Sequence, residues 1–254
     1  MLVIAFHPYT FCMEHLVRAN PMLAQDSPTR RTPKQRRQRF TKERPPEESV
    51  ETPWRLFIAV PVPEDVREFI GEIIADLKRE DWPVRWTDAD NAHLTLHFLG
   101  DTPPENAEIL RMALAEPVSR HEAFDLRTAD LGVFPAMKHP RVLWLGLWGP
   151  AHRLESIRDD IGTVLEEFDY ELDDKPFRPH LTLGRVRDTR NVRVRDLPGA
   201  IRATFDAMAD SGNVTHDKPL PFPVREVHLV RSHLSHEGAS YEIIERYPMK
   251  APTE

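Results

Sequence analysis

The chain lacks several features that would place it in a specialised class of proteins. It has a single cysteine, Cys12, which excludes an internal disulfide and any metal site built from several thiolates. It has no apolar run near the roughly 20 residues that a membrane-spanning helix needs. Its net charge is −7, so the chain as a whole is not a basic coat for nucleic acid. We therefore expect a globular protein of a reducing compartment, with no membrane contact, and place it in the cytoplasm.

The charge is unevenly distributed along the chain. Residues 1–53 carry 9 Lys/Arg and 6 Asp/Glu, a net charge of +3. Since the whole chain has a net charge of −7, residues 54–254 carry −10. Eight of these cations lie between Arg30 and Arg44, in a stretch too polar to form a core. We predict a disordered basic extension there, either an arm that touches nucleic acid or a solvated tail. Residues 54–248 would form the domain and 249–254 a tail.

The spacing of apolar residues predicts alternating helices and strands. Spacing by three and four predicts helices over 64–78, 107–114, 151–168 and 196–208. Alternation and β-branched content predict strands over 54–60, 84–86, 92–99, 123–133, 141–147, 179–186, 224–231 and 240–247. Turn residues predict a turn and helix start at 100–104, and loops at 134–140 and 232–239. This order indicates an α+β protein.

One tetrapeptide, His-Leu-Thr-Leu, occurs twice, beginning at His93 and at His180. Because side chains alternate along a strand, each histidine should share a face with the threonine two residues later, Thr95 or Thr182. In the first copy the leucines, and Phe98 after them, should take the opposite face. Two such strands side by side would present two imidazoles and two hydroxyls to one cleft.

That arrangement suits the cleavage of a phosphoester. Imidazole exchanges protons near neutral pH, so one ring can act as general base toward water and the other as general acid toward the leaving oxygen. Threonine hydroxyls beside them can donate hydrogen bonds to the phosphate oxygens. The scheme requires neither a metal nor a cofactor, and the histidines show no metal-binding spacing.

The paired motifs and their flanks resemble the two-histidine (2H) phosphoesterase superfamily, in its RNA 2′,3′-cyclic phosphodiesterase or 2′-5′ RNA ligase-like branch. The matching stretches are 55–63, 91–101, 140–146, 177–185, 229–232 and 238–241. A single motif of this kind is weak, but two copies with these flanks are specific. The resemblance implies a bilobal fold with pseudo-twofold symmetry, in which two antiparallel sheets form a central cleft and helices lie outside.

The resemblance also implies a reaction, the metal-independent hydrolysis of an RNA or nucleoside 2′,3′-cyclic phosphate to the 2′-phosphate. It gives His93 the role of proton donor, His180 that of proton acceptor, and Thr95 and Thr182 that of holding the phosphate. The motifs alone are nearly symmetric, so they leave the two histidine roles exchangeable. Joining of RNA ends through a 2′-5′ bond, the reverse reaction, also stays open.

Five further residues are candidates for substrate binding. The resemblance selects Phe57 as a base-stacking surface, with an ordinary core position as the alternative. Arg141 and Arg178 lie just outside strands and could meet the RNA backbone or form surface ion pairs. Arg185 could clamp phosphate, although strand parity places it opposite His180 unless a bulge intervenes. Tyr241 could close the site.

Two other classes of function remain open at this stage. The cleft could bind an RNA end without catalysis, although a binding module has no need of two titratable groups. The enzyme could instead act on a small cyclic nucleotide, a 2′-5′ oligonucleotide or ADP-ribose cyclic phosphate. We expect a monomer, and the sequence does not choose among these substrates. His97 shares the parity of His93, but a buried structural role is favoured for it.

Overall fold

The computed structural model describes residues 52–173, 175–187, 196–210, 219–236 and 238–252, all within the unit that runs from Ser49 to Glu254. The basic extension predicted for residues 1–53 therefore lies almost wholly outside the described residues. No helix in the described ranges is long and apolar enough to cross a membrane.

Strands and helices alternate along most of the domain. The strands are β1 (Trp54–Pro61), β2 (Val84–Trp86), β3 (His93–Thr102), β4 (Phe124–Phe134), β5 (Val142–Trp148), β6 (His180–Val186), β7 (Pro221–Val224), β8 (Glu226–Leu234) and β9 (Ala239–Pro248). The helices are α1 (Glu64–Lys78), α2 (Pro104–Ala113), α3 (Ala115–Ser119), α4 (Ala151–Glu167) and α5 (Leu197–Asp210), with a 3₁₀ turn at Ala89–Asn91.

The strands form two sheets in which every pairing between strands is antiparallel. The first sheet has the order β3-β1-β8-β9 and the second the order β2-β6-β5-β4-β7. Each sheet contains one of the two motif strands, β3 or β6, and each motif strand pairs with a central neighbour, β1 or β5. The α+β class and the two antiparallel sheets that the resemblance implied are confirmed.

Helices cover one face of the sheets and build the main core with it. Helix α1 begins with Glu64 and Asp65, whose charges suit the positive end of the helix dipole. Its apolar side is buried through Val66, Ile70, Ile73, Ile74 and Leu77, and α4 contributes Leu154, Ile157, Ile161 and Leu165. The same core takes in alternate residues of β1, namely Leu56, Ile58 and Val60. The opposite face of β1 packs separately, through Phe57, Ala59 and Val230.

The largest differences from the predicted boundaries lie at the end of β3, the start of α2 and the loop between β8 and β9. Strand β3 does not end at residue 99 but continues to Thr102, because its last residues pair with the start of β1 through Trp54↔Thr102. The turn predicted at 100–104 is therefore wrong, whereas the helix start predicted in the same stretch is confirmed. Helix α2 begins at Pro104, where a proline suits the first turn. The predicted loop at 232–239 is shorter, since pairing continues to Leu234↔Ala239.

Besides the 3₁₀ turn at Ala89–Asn91, a short helix and a short strand were missed altogether, and in each of these two a proline obscured the pattern. Helix α3 contains a buried Pro117. Strand β7 contains Pro221 and Pro223, which an edge strand tolerates because it bonds on one side only. The segment after β9 also pairs with the fold: the N–H of Lys250 donates to the carbonyl of His121 at 2.9 Å.

Candidate active site

The first motif histidine is held by its own backbone and by two aromatic rings. His93 is the first residue of β3, and its Nδ1 lies 2.8 Å from the carbonyl oxygen of Asn91. Its ring packs against that of Phe57, with centroids 4.6 Å apart, and meets Tyr241 edge-on at 5.2 Å. The Asn91 side-chain amide donates to the carbonyl of Ala239 at 2.9 Å, which ties the motif to the start of β9. The position of His93 is thus fixed from both sides.

The second motif histidine is held in the same way from the other sheet. His180 is the first residue of β6, and its Nδ1 lies 2.7 Å from the carbonyl oxygen of Arg178. The ring of Phe134 meets it edge-on at 4.9 Å, and Trp144 lies 6.4 Å away, both measured between ring centroids. The two histidines therefore stand in equivalent local frames.

These hydrogen bonds fix the tautomer of both rings. A carbonyl oxygen can only accept, so Nδ1 must carry the proton in each ring, and Nε2 carries the lone pair when the ring is neutral. The pKa of each histidine is lowered, mainly by burial and partly by the positive charge of Arg185. A charge on His180 lowers the pKa of His93 further, so the two imidazoles share one electrostatic environment. Burial and the charge of Arg185 thus favour the neutral form of both rings.

A β-bulge follows the first motif and reverses the faces of the two residues directly after it, His97 and Phe98. Along β3, Thr95 pairs with Ala59 but His97 pairs with Ile58, so Leu96 is an extra residue. Phe98 consequently lies on the cleft face, 67% exposed and 6.3 Å from the ring of Phe57. The prediction that Phe98 shares the face of the motif leucines is wrong. His97 is turned inward instead, where its Nε2–H donates to the carbonyl of Arg158 at 2.8 Å.

The second motif carries a bulge at the corresponding place. In β6, Thr182 pairs with Trp144 and Gly184 with Leu143, so Leu183 is the extra residue. Leu183 and Gly184 are both buried, and a Cβ on Gly184 would meet a side-chain carbon of Val84 at 2.6 Å. The alternation is thereby reset, and Arg185 returns to the cleft face. Its charge acts on His93, His180 and Tyr241.

The prediction from strand parity, that Arg185 lies opposite His180, is therefore wrong. The exception that the sequence analysis allowed, a bulge between His180 and Arg185, is present at Leu183.

The two threonines lie where the alternation predicts. Thr95 and Thr182 are half-buried, two residues after their histidines and before either bulge. Each is therefore on the histidine face of its strand. The arrangement brings two hydroxyls, two imidazoles and one guanidinium to the same cleft, which is suited to binding and protonating a phosphate ester.

Phe57 and Tyr241 both lie against His93, at different depths. Phe57 is 4% exposed and forms the floor under the imidazole, with Tyr241 edge-on to it at 5.1 Å. A nucleobase could reach the Phe57 ring only if His93 or Tyr241 moved, so its contact in this structure is with the histidine. Tyr241 is 36% exposed at the rim. Base stacking on Phe57 and closure by Tyr241 stay predictions.

The other two arginines lie at different ends of the second sheet. The side chain of Arg178 is exposed beside His180 and lines a cavity next to it. Arg141 is exposed just before β5, where its N–H donates to Phe134 and its carbonyl accepts from Val186. Arg178 is thus adjacent to the histidine pair, whereas Arg141 does not line that cavity. RNA binding by either stays a prediction.

Three aromatic or small residues of the site were not assigned from the sequence. Phe134 and Trp144 contact His180, and Gly132 faces Trp144 across the pair β4–β5. The ring of Trp144 lies directly over Gly132, so that a Cβ there would be 2.2 Å from it. The pairing of a glycine with a tryptophan becomes visible only when the register of the two strands is known. No group of three or more potential metal ligands occurs among the described residues.

Comparison with known proteins places this architecture in a family. The family model for the 2′-5′ RNA ligase superfamily matches residues 62–236. Several relatives carry the name RNA 2′,3′-cyclic phosphodiesterase, among them proteins of Thermus thermophilus and Aeropyrum pernix. That of Thermus thermophilus is 31% identical over 205 residues, covering 77% of this chain and 90% of the relative. That of Aeropyrum pernix is 30% identical over 169 residues, covering 66% and 87%.

A solved structure agrees with these relatives. The crystal structure of E. coli LigT in its apo form is 25% identical, with a TM-score of 0.58, and the match covers 78% of this chain and 99% of LigT. The residues matched by the family model, 62–236, contain both motif strands, β3 and β6. The chain is thus a member of the 2′-5′ RNA ligase superfamily.

Proposed function

We propose that this protein hydrolyses RNA ends that carry a 2′,3′-cyclic phosphate, leaving a 2′-phosphate and a free 3′-hydroxyl. One observation carries the proposal: two histidines, each with Nδ1–H held by a carbonyl, share a cleft with Arg185. This geometry leaves two Nε2 atoms, one for each proton transfer of an ester hydrolysis. The name of the two relatives described above supports the same substrate class.

In the reaction we propose, His180 Nε2 takes a proton from water as the water oxygen attacks phosphorus. The bond from phosphorus to O3′ breaks, and His93 Nε2–H gives its proton to O3′. The product is a 2′-phosphomonoester, and proton exchange with solvent restores both rings. Thr95 and Thr182 donate hydrogen bonds to the non-bridging oxygens, and Arg185 balances their charge.

Arg185 gives the cleft a further property. Together with burial, the larger cause, its charge lowers the pKa of both histidines and so disfavours a protonated His93. A bound phosphate diester is anionic and offsets the guanidinium charge, which raises the histidine pKa values again. Substrate binding would therefore help His93 to acquire the proton that it must donate. The chain supplies every group that this scheme uses.

The experiment is an assay of an oligoribonucleotide ending in 2′,3′-cyclic phosphate, in EDTA, with analysis of the product. Wild type, His93→Ala and His180→Ala are compared, and a 2′-phosphate product lost in both variants is expected. A loss of about 100-fold or more is typical for a general acid or base. Binding without turnover would favour an RNA-end binding module. If the wild type neither binds nor hydrolyses this RNA, small cyclic nucleotides become the substrates to test.

A single-turnover assay of each variant at several pH values distinguishes the two histidine roles. The variant that lacks the base should lose the acidic limb of the pH profile, and the variant that lacks the acid should lose the basic limb. We assign the base to His180 on the resemblance alone, and the opposite result would exchange the roles. A monomeric state and a cytoplasmic location stay predictions, the first to be measured by light scattering.

A further inference from the structure

An exposed tryptophan stands at the last position of β5, in the same sheet as His180. Trp148 is 71% exposed, more than any other exposed large apolar side chain among the described residues. Tryptophan side chains in proteins are highly buried on average. The core does not use this ring, which leaves it available to a ligand.

Trp148 lies on the face of the second sheet that carries His180. Gly146 pairs with His180, and Trp148 is two residues further along β5, roughly 7 Å away. Strand β5 is regular from Trp144 to Trp148, because the extra residues at its two irregular pairings belong to β6 and β4. Trp148 therefore shares the cleft face with Trp144, whose ring faces His180.

The ring of Trp144 fills the floor between His180 and Trp148. Gly146 has no side chain there, and a Cβ at this position would lie 3.2 Å from Cζ3 of Trp144. The indole thus covers the space that the glycine leaves. A strand of RNA that runs from His180 toward Trp148 would cross an aromatic floor rather than a ridge of side chains.

A cation stands directly beside Trp148. Arg127 of β4 is its cross-strand partner in an antiparallel pair, so both side chains lie on the same face. Arg127 is exposed, and within the described ranges it forms no ion pair. Asp125, two residues earlier on that face, is already paired, since Arg225 donates to its carboxylate at 2.5 Å. The charge of Arg127 is therefore left for a ligand.

An aromatic ring beside a cation favours one kind of ligand. Proteins hold single-stranded nucleic acid in this way, with a base stacked on the ring and the cation close to the backbone phosphates. A protein partner fits less well, because a stable protein interface buries about 800 Å² on each side. Trp148 is the one exposed large apolar side chain in the described part of the second sheet, so it forms no apolar patch of that size.

We propose that the RNA strand leading to the reacting end lies along this face of the second sheet. One of its bases stacks on Trp148, and a backbone phosphate pairs with Arg127. The inference rests on the proposed function and specifies its substrate as an oligonucleotide. A mononucleotide cyclic phosphate has a single phosphate, which the histidines occupy, so it has none to offer Arg127. The second phosphate exists only in a longer RNA.

The test compares adenosine 2′,3′-cyclic phosphate with a hexaadenylate that ends in a 2′,3′-cyclic phosphate. Trp148→Ala should lower the ratio of kcat/KM on the hexanucleotide to kcat/KM on the mononucleotide about tenfold, since the loss of one stacked base costs that order of affinity. On the hexanucleotide the loss should appear in KM rather than in kcat, because the contact is remote from the reacting atoms. Trp148→Phe, which keeps an aromatic face, should retain most of the wild-type ratio.

Arg127→Gln has a readout of its own. Losing one phosphate contact should lower the salt dependence of hexanucleotide binding by about 0.7 in the slope of log K against log salt concentration. Arg127→Lys keeps the charge and should keep the slope. Two matched controls lie on helices away from the second sheet: Met112→Ala, 61% exposed on α2, and Arg202→Gln, exposed on α5. Both controls should keep the wild-type ratio and slope.

The outcomes separate this inference from the proposed function. If Trp148→Ala loses the same factor on both substrates or on neither, or if the two control variants lose the ratio equally, the inference is overturned while the proposed function stands. If wild type hydrolyses neither substrate, the proposed function fails, and the binding of a fluorescently labelled hexaadenylate decides the inference. Equal affinities of wild type and Trp148→Ala would then overturn it, and an affinity about tenfold weaker in the variant would support it.

Discussion

Gly132→Ala should disturb the position of His180 through Trp144, which lies between residue 132 and the histidine ring. The added Cβ would lie 2.2 Å from Cζ2 and 2.3 Å from Cη2 of Trp144. Ordinary carbon contacts begin near 3.5 Å, so the indole must move by roughly 1.3 Å. The indole packs against Phe134 at 5.0 Å and faces His180 at 6.4 Å, so its displacement should shift the imidazole of His180.

The expected cost has two parts. Overpacking of this kind destabilises by about 1–3 kcal/mol, which for a domain of this size lowers Tm by roughly 2 to 12 °C. A misplacement of about 1 Å at a catalytic group costs up to about 100-fold in rate. We therefore expect kcat for cyclic phosphate hydrolysis to fall by about 10- to 100-fold, measured at a temperature where the variant is fully folded.

Two further variants make the reasoning testable. Gly71→Ala is the same chemical change on α1, where the nearest atom to the new Cβ is 3.7 Å away, and it should stabilise by about 0.5–1 kcal/mol. Trp144→Phe removes the ring atoms that clash, so the double variant with Gly132→Ala should recover activity relative to Gly132→Ala alone. Wild-type kcat and Tm in Gly132→Ala, or additive losses in the double variant, would refute the account.

Two other predictions concern titration. Arg185→Gln should raise the pKa of both motif histidines and so move the optimum of kcat/KM to higher pH. Arg185→Lys keeps the positive charge and should leave the pH optimum near that of wild type. If the pH profiles of Arg185→Gln and wild type superimpose, this prediction is contradicted. Burial also lowers the pKa of His97 below the value of about 6.5 that it has in the unfolded chain. Below pH 6.5 the unfolded chain therefore binds a proton at His97 more readily than the folded protein does. The free energy of unfolding consequently falls as the pH drops below that value. In urea titrations, His97→Gln should reduce the dependence of the unfolding free energy on pH in this acid range by up to about 1.4 kcal/mol per pH unit. An unchanged dependence would mean that other groups cause it.

Most secondary structure could be predicted because the signals are local. The spacing of Val66, Ile70 and Ile73 marks α1, and the alternation of Leu56, Ile58 and Val60 marks β1. Strand β7 could not be predicted in this way. Its prolines read as loop, and only its place at the edge of a sheet makes them compatible with a strand.

The chemistry of the site was also contained in the sequence. The repeated tetrapeptide predicted that His93 and His180 share faces with Thr95 and Thr182, and the structure places all four on the cleft side of their strands. These positions precede the bulges, so simple alternation holds for them. Their catalytic roles remain the subject of the proposal above.

What only the tertiary structure decided is the face of the residues that directly follow each motif. A bulge is a mismatch between two strands: Leu96 and Leu183 are extra only relative to β1 and β5, and neither is unusual in its own sequence. Because side chains alternate with a period of two, one extra residue exchanges the two faces. It turned Phe98 and Arg185 into the cleft and His97 into the interior. The sequence determined which groups could act on a phosphate, and strand pairing determined which of their neighbours surround it.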